Sequence, residues 1–421
     1  MMGRELRLAD LLASLSLVAD LGMGHDPEQG MRAALVATLL ARRLDLPEKE
    51  SRDVYYTALL QHVGCTAYAH ETAPVFGDDI RLNRAGSLTN FDQARDMFAT
   101  FLPELSRGLG PMARIRNTTV AMLRGSRFGL ENSRAVCEVG RETARRLGLS
   151  GGVQRSLHHA LESWSGKGDP QGLRSEEIAL PARVVRVAGV AALFGTLGGS
   201  ELASAMVRER SGGVLDPTVA AAFAGRSREL LAEATRADPR TALLELEPGP
   251  VVRVPEADMR RVARCFGELV DLKSPYLHGH VTGVAKLAAA AGTRLGFGAA
   301  DAAALEIAAL LHDVGRAAVP TSIWERRGAL TAAHWEQVRL HAYHSERVLT
   351  GSGALAPLAR IAGMHHERID GSGYHRACRA PEIPTAARVL AAADAFAAMT
   401  SARPHRPALA PEAAARELSG E

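Results

Sequence analysis

One stretch of this chain occurs twice, and that repeat limits the possible folds more than any other feature. LLHDVGR at 310–316 matches LLQHVGC at 59–65, and the helical segments before them end in RLGF (294–297) and RLDL (43–46). Both pairs share one offset, 310 − 59 = 251 residues. Further on, DGSGY…PEIPTAARVLAAAD (370–394) matches SGKGD…EEIALPARVVRVAG (165–189), at 371 − 166 = 205. The first copy therefore holds 251 − 205 = 46 additional residues between its motifs. Chance likeness among Ala/Leu/Arg-rich helices would not keep two constant offsets in one order, so the chain reads as two copies of one folding unit. The Pro- and Gly-bearing stretch DPRTALLELEPGPVVRVPEAD between the copies reads as a linker. We expect a first domain over 1–240 and a second over 255–421. GGVLDPTVAAAF (212–223) continues the first copy as a helical tail, whereas the second copy reaches Glu421 before any counterpart. That asymmetry leads us to expect a natural chain extending past Glu421.

Composition narrows the class. A chain of 421 residues is long for one domain, and 47% hydrophobic residues supply an ample core. Only 5% aromatics, with abundant Ala and Leu, favour helices, so the expected fold is all-α: two tandem helical bundles. The net charge of +3 is scattered and almost all arginine, with Lys49, Lys167, Lys273 and Lys286 the only lysines, so a nucleic-acid partner is not expected in this segment. Cys65, Cys137, Cys265 and Cys378 form no CxxC pair, which argues against a zinc ribbon or disulfide framework and for a reducing, cytoplasmic setting. The apolar run Ala33–Ala41 stops at Arg42 and Arg43, and Asp10 and Asp20 interrupt the N-terminal apolar stretch, so no membrane partner is expected.

The second copy places metal-binding side chains at helical spacing on otherwise apolar segments. His280 leads the stripe Val284, Leu287, Ala291 and Leu295, and ALEIAALL runs into His312 and Asp313 before Gly315 ends the helix. His341 shares a stripe with Val338, Ser345 and Val348, and Leu358 and Ile361 lead to His365 and His366. Asp394 lies in ARVLAAADAFAAM, where a buried carboxylate must be neutralised, paired or bound to metal. Imidazole and carboxylate without thiolate suit Fe, Mn, Co or Zn. A His-Asp pair lets the histidine bind one ion while the carboxylate bridges two. DGSGY lacks the strand-loop-helix setting of a phosphate loop and reads as the turn after the His-His helix.

GHVTGVAKLA, LHDVGR, LHAYHSERVL, HHERIDGSGYH, AARVLAAADAFAAMT and ARPHRP together resemble the HD superfamily and, within it, the HD-GYP group, across residues 271–421. The resemblance implies a metal-dependent phosphodiesterase acting on a cyclic dinucleotide, cyclic di-GMP first. It implies a centre of two divalent ions, Fe or Mn ahead of Zn, Co or Ni, held by His280, His312, Asp313, His341, His365, His366 and Asp394. Asp313 would bridge the ions and act in catalysis with Arg316, which stands at the family's Lys. Arg316, Arg403 and Arg406 would grip substrate phosphates. Three departures are visible: the naming tripeptide is Gly373-Tyr374-His375, Arg316 replaces the family's Lys, and Tyr276 stands where some members carry a Glu for a third metal. Other HD proteins hydrolyse phosphomonoesters or nucleotides, and a bundle of this kind could also sense a nucleotide without turnover, as part of a longer transcription regulator.

By the two offsets, the ligands have no counterparts in the first copy: Gln29, Gln61, His62, Ala160, Leu161 and Gly189 stand at the positions of His280, His312, Asp313, His365, His366 and Asp394. His62, His70, His158 and His159 read as packing or surface residues rather than a relocated site, as do His278, His334, His344 and His405. The first domain is thus expected to be a degenerate copy used for packing, homodimerisation or sensing.

Overall fold

The structure, a computed structural model, describes residues 5–105, 107, 110–235 and 238–420. Helices dominate, and the strands among the described residues are two three-residue pieces, Glu5–Arg7 and Arg253–Pro255. The fold is all-α. Short polar residues start several helices by accepting a free backbone N–H: Ser150 from Val153 (3.2 Å), Asp216 from Thr218 (2.8 Å) and Thr331 from His334 (3.2 Å).

The chain forms two compact units. One comprises Arg7–Tyr68 and Asp79–Arg253. The other comprises Val254–Glu421 and the segment Ala69–Asp78, which is drawn from the first copy. The first unit is built around Leu8, Leu11, Leu12 and Leu15 of helix Leu8–Met23 and Leu35 and Leu40 of helix Gln29–Arg43. Tyr55 and Tyr56 are wholly buried there, and each hydroxyl has an acceptor, Leu243 O at 3.0 Å and the Glu247 carboxylate. Helix Leu180–Arg210 is 31 residues and, by length and composition alone, could cross a membrane. It breaks at Gly198–Gly199, and half of its apolar window is buried inside the protein, as expected of a core helix.

The repeat read from sequence is a repeat of structure. Helices His280–Arg294 and Ala299–Leu311 correspond end for end, at the 251-residue offset, to Gln29–Arg43 and Glu48–Leu60. Helix Ala356–Gly363 and the turn Ala380–Glu382 correspond, at the 205-residue offset, to Gly151–His158 and Ser175–Glu177. Side-chain hydrogen bonds keep the same register. Buried Glu367 accepts the amides of Arg376 (2.6 Å) and Cys378 (2.8 Å), and buried Glu162 accepts those of Gln171 (2.8 Å) and Leu173 (2.9 Å). A close approach supplies a further correspondence. A Cβ on Gly315 would lie 2.0 Å from His341 O, and one on Gly64 would lie 2.3 Å from Val136 O. Val136 therefore stands in the first copy where His341 stands in the second.

A second buried acid is kept in both copies. Asp271 accepts the amide of Val281 (3.2 Å), and Asp20 accepts that of Gly30 (2.9 Å), each at the start of the next helix. Burial raises both carboxyls, Asp271 to about 7 and Asp20 to about 8 from an ordinary 3.8. The folded chain thus keeps a proton on Asp20 that the unfolded chain releases above pH 3.8, so stability falls as pH rises from 3.8 towards 8. Asp20→Asn keeps the Gly30 contact without the charge. We expect it to raise the melting temperature above pH 8, a gain on the order of a few kcal/mol, with the difference fading near pH 4 in paired thermal melts.

Candidate metal centre

Three local devices deliver the ligand-type residues: a helix start, helix ends and helix interiors. Gly279, at φ +75°, turns the chain so that His280 opens its helix. His312 and Asp313 follow the last turn of Ala299–Leu311, and His365 and His366 follow Ala356–Gly363. His341 lies within Ala332–Thr350 and Asp394 within Thr385–Met399. Three rings are oriented the same way. His312 Nδ1 and His365 Nδ1 donate to carbonyls three residues back, Ala309 (2.7 Å) and Ala362 (2.6 Å), and His341 Nδ1 donates likewise to Val338. With Nδ1 so occupied, each Nε2 lone pair is left to face the site.

The seven residues meet in two groups: His280, His312, Asp313 and Asp394, and His341, His365 and His366, the ligand atoms of each lying within 4.8 Å of one another. Asp313 joins them. Its Oδ2 lies 3.1 Å from His312 Nε2 and 3.5 Å from His280 Nε2, while its Oδ1 lies 3.4 Å from His341 Nε2 and 3.6 Å from His365 Nε2. Asp394 Oδ1 lies 3.1 Å from His280 Nε2. His341 and His365 bring their Nε2 atoms to 3.2 Å, a separation two lone pairs accept only with a proton or cation between them.

These atoms are buried and short of partners. Both nitrogens of His280, His312 Nε2, both oxygens of Asp313 and Asp394 Oδ1 are enclosed and make no hydrogen bond of good geometry. A buried polar group left this way costs about 1–3 kcal/mol, more when charged, so the cluster calls for bound cations. The electrostatics agree. Burial works against both carboxylates, yet Arg316 and His312 hold Asp313 far below the usual range, and His280 and His312 do the same for Asp394. Burial also opposes charge on His312, but Asp313 and Asp394 outweigh it and push its pKa up to about 10. Burial drives His341 down to about 3 and His366 well below its ordinary value. One group would hold a proton where the other would not, and divalent cations satisfy both.

The surroundings hold the arginines differently. Arg316 is buried, with Nε 2.9 Å from Asp313 Oδ2 and its guanidinium 4.7 Å from the Trp324 ring centre. Arg403 and Arg406 face each other across a tight hairpin, Arg403 N to Arg406 O at 2.9 Å. Arg403 donates to Tyr276 O (3.3 Å). Burial and Arg316 bring its pKa down to about 10, while the charges of Asp394 and Asp313 pull the other way. Arg406 is held by backbone carbonyls. Its guanidinium donates to Ala398 O (2.7 Å), Met399 O (3.1 Å) and Pro407 O (3.3 Å), closing the C-terminus of the Asp394 helix. The Tyr374 ring stacks on His366, with centroids 4.7 Å apart.

Three supports went unread in the sequence. Lys273 is almost wholly buried and donates to Ala317 O (3.2 Å) and Val319 O (3.0 Å), bracing the turn that carries Arg316. Asp271 caps the His280 helix, and Ser345 Oγ accepts the amide of Gly315 (2.9 Å). A lysine this rare in so Arg-rich a chain was the only signal on offer.

In the first copy the same positions are filled without ligation. Gln61 Oε1 lies 3.1 Å from where a Cβ on Gly189 would stand, in the space of the missing carboxylate. Gln29 Oε1 accepts Thr196 Oγ1 (3.1 Å). His62 packs edge-on against His25 at 5.5 Å, and burial lowers its pKa to about 3. No third group of metal-ligating side chains occurs among the described residues.

A family model described as an HD domain matches residues 264–421. Those residues are an HD domain. The HD domain brings its enzyme class with it, a metal-dependent phosphohydrolase. A 3′3′-cGAMP-specific phosphodiesterase of Vibrio cholerae is 29% identical over 410 residues, 96% of this chain and 88% of that protein. A cyclic di-GMP phosphodiesterase of Thermotoga maritima is 34% identical over 157 residues, 36% of this chain and 43% of that protein. The crystal structure of a cyclic GMP-AMP-specific phosphodiesterase from V. cholerae superposes with a TM-score of 0.68 at 26% identity, covering 99% of this chain and 94% of that one. Both V. cholerae matches run through the degenerate copy as well as the HD domain.

Proposed function

We propose that this chain hydrolyses a phosphodiester bond of a cyclic dinucleotide, 3′3′-cGAMP ahead of cyclic di-GMP, at a centre of two divalent transition metals. The observation that carries the reading is Asp313, which presents one oxygen to each of two ligand groups. His280, His312, Asp394 and Asp313 would hold one ion, and His341, His365, His366 and Asp313 the other, Mn or Fe ahead of Zn, Co or Ni. The ions would supply Lewis-acid charge and an activated water. The chain's own contribution is orientation: backbone carbonyls fix the three imidazoles, and Arg316 holds Asp313 anionic. Arg403 offers a fork to an equatorial phosphate oxygen. The sequence match and the structural match to V. cholerae enzymes named for cyclic GMP-AMP support 3′3′-cGAMP because the likeness extends over both units, whereas the cyclic di-GMP enzyme of T. maritima matches 36% of the chain.

The test is turnover by protein reconstituted anaerobically with Mn or Fe. 3′3′-cGAMP, cyclic di-GMP, bis-p-nitrophenyl phosphate and p-nitrophenyl phosphate would be offered side by side. Hydrolysis of the cyclic dinucleotides is expected, and cleavage of the monoester alone would sink the proposal. The two hairpin arginines should separate. Arg403→Ala should lower kcat/KM by about 10- to 100-fold, or roughly 1.4–2.7 kcal/mol, with metal content unchanged. Arg406→Ala should mainly lower the melting temperature, since it uncovers helix-end carbonyls.

A further inference from the structure

The first copy holds its additional residues after the Gln61–His62 turn, and one piece of them, helix Ala69–Phe76, belongs to the HD unit. Ala69, Ala73 and Phe76 are buried, and the helix packs on the short helix Thr321–Trp324. At the junction His70 Nδ1 lies 2.7 and 2.8 Å from the two oxygens of Glu325, and Ser274 Oγ donates to the same carboxylate at 2.6 Å. Glu325 follows Trp324 directly. The Trp324 ring carries the Arg316 guanidinium at 4.7 Å and meets the His341 ring edge-on at 5.5 Å. Ile323 and Trp324 also pack with Val338, whose carbonyl orients His341. A four-residue helix has too few hydrogen bonds to hold its own place, so its position depends on what grips its end.

We propose that His70 and Glu325 are positioning residues for the metal centre. His70 grips Glu325, Glu325 fixes Trp324, and Trp324 sets Arg316 and the His341 ring. A residue from the degenerate copy thereby tunes a site to which that copy contributes no ligand. The inference rests on the hydrolase reading above, and its test carries a readout independent of turnover.

The chain has three tryptophans, so full-length protein with Trp164→Phe and Trp335→Phe leaves Trp324 as the sole tryptophan, which is excited apart from the tyrosines. In that background His70→Ala should change Trp324 emission and leave manganese content intact. On bis-p-nitrophenyl phosphate kcat should fall about five- to tenfold with KM within about twofold, the pattern of a misplaced rather than missing group. His70→Asn, whose amide can donate from nearly the place of Nδ1, should recover emission and kcat to within about twofold. Unchanged emission and kcat in His70→Ala would overturn the proposal. So would a loss that follows the melting temperature and is not recovered by Asn. If the wild-type protein cleaves no phosphodiester, the hydrolase proposal fails on its own, and Trp324 emission still decides whether His70 sets that ring.

Discussion

Asp313→Asn is expected to empty the site. The substitution keeps the shape but removes the anion whose two oxygens face separate ligand groups, 3.1 Å from His312 Nε2 on one side and 3.4 Å from His341 Nε2 on the other. It also strands the buried Arg316 cation beside the place where the ions must bind, which adds repulsion to the loss of a ligand. Metal content measured by mass spectrometry should fall from about two ions per chain to well under one, and phosphodiester turnover by about a thousandfold or more. Gln29→Ala and Gln61→Ala, at the equivalent positions of the first copy, should leave both quantities unchanged. An Asp313→Asn protein with its full metal complement would show that the carboxylate does not bridge.

A chain starting at Val254 should be markedly less stable than the same unit within the full protein. It keeps every candidate ligand but loses Ala69–Phe76, and with it the burial of Phe76, Ala69 and Ala73 and the His70–Glu325 pair. Burying one aromatic and two methyl groups is worth about 3–4 kcal/mol, a large part of a domain's usual 5–15 kcal/mol. At this size that corresponds to a melting temperature lowered by roughly 6–16 °C. A synthetic peptide spanning residues 66–79 should restore part of the loss. A fragment that melts with the full-length protein and ignores the peptide would show that the segment contributes nothing to the unit's stability.

The repeat and the positions of the seven ligand-type residues were legible because both are one-dimensional signals. A constant offset survives substitution, and a histidine or aspartate on an apolar helix conflicts with its neighbours wherever the helix packs. The supports were not legible, because their partners are backbone atoms or distant in sequence. Lys273 is held by two carbonyls that any side chains would present, and His70 meets Glu325 across 255 residues. Arg403 and Arg406 look alike in ARPHRP. Only the structure separates them, one feeling the charges of Asp394 and Asp313 and the other closing a helix end. Val136 as the counterpart of His341 could not be read either. The additional residues break the register between the motifs, and Val resembles His in neither chemistry nor pattern until the Gly64 and Gly315 approaches are compared.

The paired glutamates, Glu162 and Glu367, each accept two amides of an equivalent loop. That loop kept its shape in the copy that lost its ligands, so its hydrogen bonds serve the backbone and do not depend on the metal. The first copy is in effect an internal blank. It holds a matching scaffold in the same molecule, at the same concentration and with the same history, but with two amides, small or aliphatic residues and the single imidazole of His62 where the other copy has converging imidazoles and carboxylates. Whatever binds the second copy and not the first is recognised by those few side chains, and whatever binds both is recognised by the fold.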